Sequence, residues 1–453
     1  MDYANKKVLV VGMARSGVAA AQLLAKHGAK VVINDNKSRQ ELGEALAPLA
    51  GLPVEDRLGM PAAQAMQGVD VMVISPGIPD TAPFVVQARN AGIHVTGELE
   101  MAYQLAPGEM VAVTGTNGKT TTVSLLGEIF KNAGRVTHVV GNIGYPYSQA
   151  ALEARKDDMF VCEVSSFQME TAEEFHPRAA ALLNITEDHL NRHGTMEEYT
   201  RVKMRMFQNQ TAADVAVFNA DDPALEPLVS QVKSRVMLFS RIREVENGAF
   251  VRDGQIFVRW NGTEKPVCGT DEVRIPGPHN LENALAAACM ATAMGVPAPV
   301  IRHSLRTFKG VEHRIEFVRE LEGVRYINDS KGTNVDSTIK AVQTMQRPTA
   351  IILGGYDKHS DFTPLVKEML ASPYIREAVL IGVTADQIQR TLEECGFMGI
   401  HRATTLKDAI DQCRALADDG WNVLLSPACA SFDMFSDYEA RGRIFKEMVK
   451  ELN

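Results

Sequence analysis

Met110-Val111-Ala112-Val113-Thr114-Gly115-Thr116-Asn117-Gly118-Lys119-Thr120-Thr121 is the stretch that decides the fold of this chain. The short apolar run Met110–Val113, closed by a glycine-rich turn, reads as a buried strand. A helical pattern follows the turn to about Ala133. A strand that feeds a glycine-rich turn opening a helix suits phosphate, because backbone N–H groups and the helix N-terminus converge on its oxygens. In such a loop Lys119 reaches the β- and γ-phosphates, and the Thr120 hydroxyl sits on Mg²⁺. Val113 stands where the consensus G-x-x-x-x-G-K-[ST] has its first glycine. An ordinary strand–turn–helix corner is therefore the competing reading, and the flanking strand and helix weigh against it.

Outward from this loop, β-branched runs, glycine turns and helical patterns alternate along the whole chain. That alternation predicts an α/β protein with parallel sheets and crossover helices. Three blocks separate, at residues 1–97, 98–310 and 311–453. The first opens with strand Lys7–Val11, helix Val18–His27 and strand Lys30–Asn34. The second carries the phosphate loop, strands Met159–Val164, Ala179–Asn184 and Val215–Asn219, an antiparallel stretch from Arg241 to Ile275, and the helix Asn280–Met294. The third carries strands Arg325–Asn328, Ala350–Leu353, Ala378–Ile381 and Asn422–Leu425. In open α/β sheets, ligands collect at the carboxyl ends of the strands.

At 453 residues the chain has room for two to four domains, given roughly 100–200 residues each. Its net charge of −9 lacks the basic footprint of a duplex-binding protein, so no nucleic-acid partner is expected. No apolar run reaches the ~18 residues of a membrane span, and the start does not read as a secretory signal. Six dispersed cysteines without a CxxC pair fit reduced, mostly buried thiols, so a cytoplasmic setting is expected.

Several other clusters carry chemistry. Gly12-Met13-Ala14-Arg15-Ser16-Gly17 resembles a dinucleotide turn, but Ala14 replaces the middle glycine that lets a pyrophosphate approach. Asp35 follows the next strand, where a ribose would be held, and a different nucleotide over the same sheet edge is the favoured reading. Glu163 and Asp188-His189 each follow a strand, and Glu163 beside a triphosphate suits Mg²⁺. His189 and His193 lack a third partner for zinc. Lys203, between Arg201 and Arg205, reads by itself as part of a solvated basic helix face. Around Asn328–Asn334, Gly354–Lys358 and Ser426–Asp433, Lys, Thr and Ser donors sit at strand ends and suit an anionic substrate.

Taken together, Thr114–Thr121, Glu163-Val-Ser-Ser-Phe-Gln168, Asn184-Ile-Thr-Glu-Asp-His189, Asn328–Asn334 and Ser426–Asp433 resemble the Mur ligases, the ATP-dependent amino-acid ligases of peptidoglycan precursor synthesis. The strings point to the branch that joins D-glutamate to UDP-N-acetylmuramoyl-L-alanine. The resemblance implies an N-terminal Rossmann-like domain for the UDP substrate, a central P-loop ATPase-type domain, and a C-terminal Rossmann-like domain that takes the amino acid and closes on ATP. It implies ATP contacts at Gly115, Thr116, Asn117, Gly118, Lys119, Thr120, Thr121, Asn280, Asn283, Arg314, Asp329 and Lys331. It implies two Mg²⁺ sites on Thr120, Glu163, His189 and a carbamylated Lys203, with Lys119 completing the catalytic set. Arg15, Ser16, Asp35, Asn36, Lys37, Ser75, Asn142 and His189 would surround the UDP substrate. Lys331, Thr333, Lys358, Ser431 and Tyr438 would surround D-glutamate. Lys37 stands where some relatives carry Arg, and Tyr438 where a Phe is found. A monomer acting on small molecules is the expected form.

Overall fold

The computed structural model describes residues 1–356 and 360–452. It contains three sheets. The first is fully parallel, in the order Val54–Asp56, Lys30–Asn34, Lys7–Val11, Val71–Ile74, His94–Gly97. The strand order reverses between Lys7–Val11 and Val71–Ile74, so the crevice at their carboxyl ends opens at Gly12 and Ser75.

The second sheet has nine strands. Glu109–Thr114 lies between Met159–Glu163 and Ala179–Leu182, with Val113 opposite Glu163 and Thr114 opposite Leu182. This register delivers the phosphate loop, Glu163 and the Asn184 segment to one edge. Thr137–Gly141 flanks Met159–Glu163, and Val215–Asn219, Arg235–Ser240 and Gly248–Arg252 continue the parallel run on the other side. Gln255–Trp260 and Thr263–Gly269 then add antiparallel, as the alternating pattern predicted. Near-continuous apolar strands are what a sheet covered on both faces requires. Helices Lys119–Asn132 and Pro278–Ala293 supply part of that cover through Val123, Leu126, Ile129, Leu285, Ala288 and Cys289, all without solvent exposure.

The third sheet runs Glu316–Leu321, Val324–Asn328, Asn422–Leu425, Thr349–Leu353, Ile375–Leu380, Ile400–Arg402, parallel except for its first strand. Asn328 and Ile352 both register with Leu425, so the loops after these three strands emerge side by side.

These sheets are organised as two compact units: Met1–Arg274 with Asn280–Phe308, and Ile275–His279 with the chain from Lys309 onward. The first two sheets share one unit because helices Arg15–Lys26 and Glu98–Leu105 pack on Tyr147–Ala151, and one apolar cluster runs from Val8 to Phe218. Two buried carboxylates reinforce the seam. Glu98 accepts the Ser148 backbone N–H (2.7 Å) and hydroxyl (2.5 Å). Glu100 accepts the backbone N–H groups of Glu173, Glu174 and Phe175 at 3.0, 2.8 and 3.0 Å. The segment Ile275–His279, which the sequence reading puts in the middle block, packs with the C-terminal unit. There Gly277, at φ +97°, presses its backbone against Thr344. Among the described residues, no helix is long and apolar enough to cross a membrane.

Candidate active site

The loop after Glu109–Thr114 turns through Gly115 at φ +144° and Gly118 at φ +85°. A side chain at Gly118 would collide with the Asn283 amide, so helix Pro278–Ala293 approaches the loop at its glycine. The Asn184 side chain locks the turn: its Oδ1 accepts the Asn117 N–H at 2.8 Å, and its Nδ2 donates to the Asn117 carbonyl at 3.1 Å. Thr116 is held on the same strand end, its Oγ1 accepting the Thr186 N–H at 3.0 Å. Lys119 folds back over the loop, donating to the carbonyls of Gly115 and Thr116 at 2.8 Å each.

Thr120 donates to Glu163 Oε2 at 2.8 Å, and Asn142 Nδ2 donates to Glu163 Oε1 at 3.0 Å. The two residues grouped by the strand register are thus joined by side chains. Asn142 is also held by its backbone N–H, which donates to the Glu163 carbonyl at 2.9 Å. On the other side, Thr122 Oγ1 lies 3.3 Å from Asn283 Oδ1, and Asn283 Nδ2 donates to Asn280 Oδ1 at 3.2 Å.

Lys203 does not lie on a solvated face, as its flanking arginines suggest. It is 1% exposed. Helix Met196–Met204 turns Arg201 outward and Lys203 inward, where Nζ donates to the Gly115 carbonyl at 3.0 Å and sits 4.5 Å from the Tyr199 ring centre. No carboxylate among the described residues lies within ion-pair distance of it. Burial first, and then the charge of Lys119, drive its pKa well below the ordinary lysine value. The amine is therefore biased toward the neutral form, which is nucleophilic.

His189 takes a left-handed backbone (φ +54°) that starts the short helix Leu190–His193 and turns its ring edge-on to Phe167, 4.7 Å between centres. His193 does not join it as a ligand pair: Nε2 is 2.9 Å from Ser166 Oγ, the ring stacks on Phe167, and burial lowers its pKa. Arg192 grips Glu170 through two bonds (2.9 and 2.6 Å) and donates to the Ile78 carbonyl at 3.1 Å, tying this segment to the loop after Ser75.

On the first sheet, Ser75 Oγ donates to the Val11 carbonyl at 3.1 Å, and a side chain at Gly12 would meet that Oγ at 2.6 Å. Asp35 closes the turn rather than standing open. Its carboxylate accepts the N–H groups of Met13 (2.7 Å) and Lys37 (3.0 Å). Arg15, Asn36 and Lys37 are exposed around it, with Ser16 half-buried.

In the C-terminal unit, Asp329 is fully buried. It accepts the Ser426 hydroxyl at 2.7 Å and the Ile315 N–H at 3.2 Å, with Arg314 at 3.7 Å. Burial raises its pKa against the pull of Arg314. Lys331 donates to the Tyr438 hydroxyl at 2.9 Å, with Nζ 4.5 Å from the ring centre. The hydroxyl that distinguishes Tyr438 from Phe thus holds a candidate substrate-binding lysine. Thr333 lies on the same loop, and Ser431 on the neighbouring one, 2% exposed. Lys358 lies outside the described residues. The sequence reading gives two further groups no role. His279 is buried with neither ring nitrogen hydrogen-bonded among the described residues, and burial beside Arg314 and Lys340 lowers its pKa to about 3. Arg441 is 1% exposed under the loops that bear Lys331 and Ser431.

Three family descriptions match the chain: Mur ligase MurD-like, N-terminal domain over residues 6–97, Mur ligase middle domain over 113–291, and Mur ligase, glutamate ligase domain over 313–429. The chain belongs to the Mur ligase family. This Mur ligase is 46% identical to the UDP-N-acetylmuramoylalanine–D-glutamate ligase of Thermoanaerobacter sp. (strain X514) over 454 residues, covering 100% of both chains. It is 42% identical to the protein of that name from Clostridioides difficile (strain 630), again covering 100% of both. Among solved structures, MurF from Acinetobacter baumannii shares the fold at a TM-score of 0.63 and 17% identity, over 98% of this chain and 91% of that one. MurC from Thermotoga maritima does so at 0.61 and 19%, over 98% and 99%. The chain is an ATP-dependent ligase with the α/β sheets of that family.

Proposed function

We propose that this chain joins the amine of D-glutamate to the terminal carboxylate of UDP-N-acetylmuramoyl-L-alanine in the cytoplasm, giving the dipeptide product, ADP and phosphate. The observation that carries the catalytic part is the convergence of Lys119, Thr120, Glu163 and a buried Lys203, without an ion-pair carboxylate among the described residues, on one glycine loop. Full-length identity to D-glutamate ligases supports the substrate pair.

The donor set fits Mg²⁺. Thr120 and Glu163 pair a hydroxyl with a carboxylate beside a phosphate cradle, the hard oxygen set this ion prefers. His189 and Lys203 would hold a second ion once the neutral Lys203 amine has added CO₂, forming an N–C bond and releasing a proton. The carbamate turns a buried neutral amine into an anion. When bound, Mg²⁺ neutralises charge on the transferred phosphoryl group.

In the reaction, the substrate carboxylate attacks the γ-phosphorus of ATP and ADP leaves, giving an acyl phosphate. The D-glutamate amine then attacks the acyl carbon and phosphate leaves. Lys119 turns from the Gly115 and Thr116 carbonyls to the phosphates, and the loop N–H groups stabilise charge where it develops. Asn142, fixed on Glu163, faces the substrate end. Asn280 and Asn283 meet the nucleotide. Arg15, Ser16, Asp35, Asn36, Lys37 and Ser75 border the UDP subsite on the residue 1–97 domain. Arg314, Asp329, Lys331, Thr333, Lys358, Ser431 and Tyr438 serve ATP and amino acid on the residue 311–453 domain, and the 98–310 domain carries the chemistry.

The test is phosphate release from ATP and Mg²⁺ with UDP-N-acetylmuramoyl-L-alanine, comparing D-glutamate, L-glutamate and meso-diaminopimelate. Release that requires D-glutamate, with the dipeptide mass, is the expected result. Release with only another amino acid overturns the substrate assignment.

A further inference from the structure

Arg441 lies in helix Tyr438–Glu451, where two other basic residues, Arg443 and Lys446, make ion pairs with glutamates. Arg441 makes none. It is buried, and its guanidinium donates only to uncharged oxygens: Nε to Ser330 Oγ (3.0 Å), Nη1 to the carbonyls of Cys429 (3.2 Å) and Ala430 (3.3 Å), and Nη2 to the carbonyls of Ser330 (2.8 Å) and Cys429 (3.1 Å). That uses all five donors of the fork. Ser330 precedes Lys331, and Ala430 precedes Ser431. A third loop joins them: Tyr356 N–H donates to the Ala430 carbonyl at 2.9 Å, and a side chain on Gly355 would meet Arg441 Nη1 at 3.3 Å. Ser330 Oγ in turn donates to the Tyr438 carbonyl at 2.8 Å, on the helix that carries Arg441. The register of strands Val324–Asn328 and Asn422–Leu425 brings these loops side by side but does not fix their tips.

We propose that Arg441 is the positioning residue of the amino-acid subsite, bridging the loops of Lys331 and Ser431 from beneath and setting the spacing between them. This rests on the reading of those residues as the amino-acid site. Burial lowers the Arg441 pKa to about 10, so the group stays charged at neutral pH. Lysine cannot replace it, because an ammonium offers three donors from one point and no planar fork.

The experiment is steady-state kinetics of Arg441→Lys and Ser330→Ala in the full-length enzyme, varying each of the three substrates in turn. The amino acid varied is whichever one the wild-type enzyme requires, so an error in the D-glutamate assignment shows in the wild type alone. For Arg441→Lys, KM for the amino acid should rise about tenfold to a hundredfold, the scale of a misplacement near 1 Å. The KM for the UDP substrate should stay within about twofold, and that for ATP, which Lys331 also serves, should rise less than that for the amino acid. Ser330→Ala, which removes one acceptor of the fork, should move the same KM by a smaller factor. Unchanged amino-acid KM in folded Arg441→Lys overturns the proposal, as does an equal rise in all three KM values. If Arg441→Lys does not fold, Ser330→Ala decides alone, and an unmoved amino-acid KM there overturns it.

Discussion

Replacing Lys203 with Met separates what this lysine does for the reaction from what it does to the fold. In the unmodified protein its Nζ is buried against one carbonyl, 3.0 Å from Gly115 O, with no carboxylate in ion-pair contact among the described residues. Methionine keeps the stem and removes the amine. The lost hydrogen bond is worth about 0.5–1.5 kcal/mol. Burial disfavours protonation of the amine at a cost of about 1.4 kcal/mol for each pH unit by which its pKa is lowered, and methionine removes that cost. With the pKa held well below its ordinary value this outweighs the hydrogen bond, so Lys203→Met should melt higher at pH 7, by ~2 °C for each kcal/mol of net gain in a unit of this size. The pH dependence has a definite sign. The folded-state pKa lies below the unfolded value of 10.5. As pH falls from that value, the unfolded chain takes up a proton that the folded chain does not, so the wild type loses stability until pH reaches the folded pKa. The advantage of Lys203→Met must therefore be larger at pH 7 than near pH 10. Differential scanning fluorimetry in CO₂-depleted buffer without nucleotide reads this directly. Turnover of Lys203→Met should be nearly absent, and Lys203→Ala should regain part of it with small carboxylates that mimic the carbamate. A destabilised Lys203→Met whose deficit is the same at both pH values, or one with normal turnover, would refute the reasoning.

Two further outcomes follow from the geometry. Gly118→Ala places a Cβ on the Asn283 amide at a φ of +85°, a backbone region that costs a non-glycine residue about 1–2 kcal/mol; KM for ATP should rise severalfold while the UDP-substrate KM holds, measured by phosphate release. Glu100→Ala leaves the N–H groups of Glu173, Glu174 and Phe175 without their carboxylate, so melting should fall by the equivalent of roughly 2–3 kcal/mol, with activity at low temperature little changed.

The phosphate loop was legible because its information is local: strand, glycines at positive φ and helix follow one another within some twenty residues. The antiparallel stretch before Ile275 and the buried helix after it were legible from their apolar patterns for the same reason. Arg441 was not, and Lys203 stood out only through the family resemblance, not through its local pattern. Each sits among other charged residues on a helix, where the pattern predicts solvent. Only the packing of distant segments, Gly115 for one and Ser330 with Cys429 for the other, turns it inward. Asp35 reads equally well as a ribose acceptor or as a turn-closing carboxylate, and its bonds to Met13 and Lys37 are visible only in three dimensions. The merging of the first two sheets into one unit depends on contacts such as Glu98 with Ser148, fifty residues apart, which no local pattern encodes.

The chain passes between its two compact units three times, since Ile275–His279 belongs with the later one while Asn280–Phe308 returns to the earlier. The carboxy-terminal module is therefore not a detachable tail. Cutting after Phe308 strands five residues that had their packing partners downstream. A swap of this module between two Mur ligases must exchange two separate stretches of gene to keep each core intact. Recombination at a single junction breaks that match, so the amino-acid module and the mid-chain loop are expected to be inherited together, and chimaeras that respect both junctions should fold where one-junction chimaeras do not.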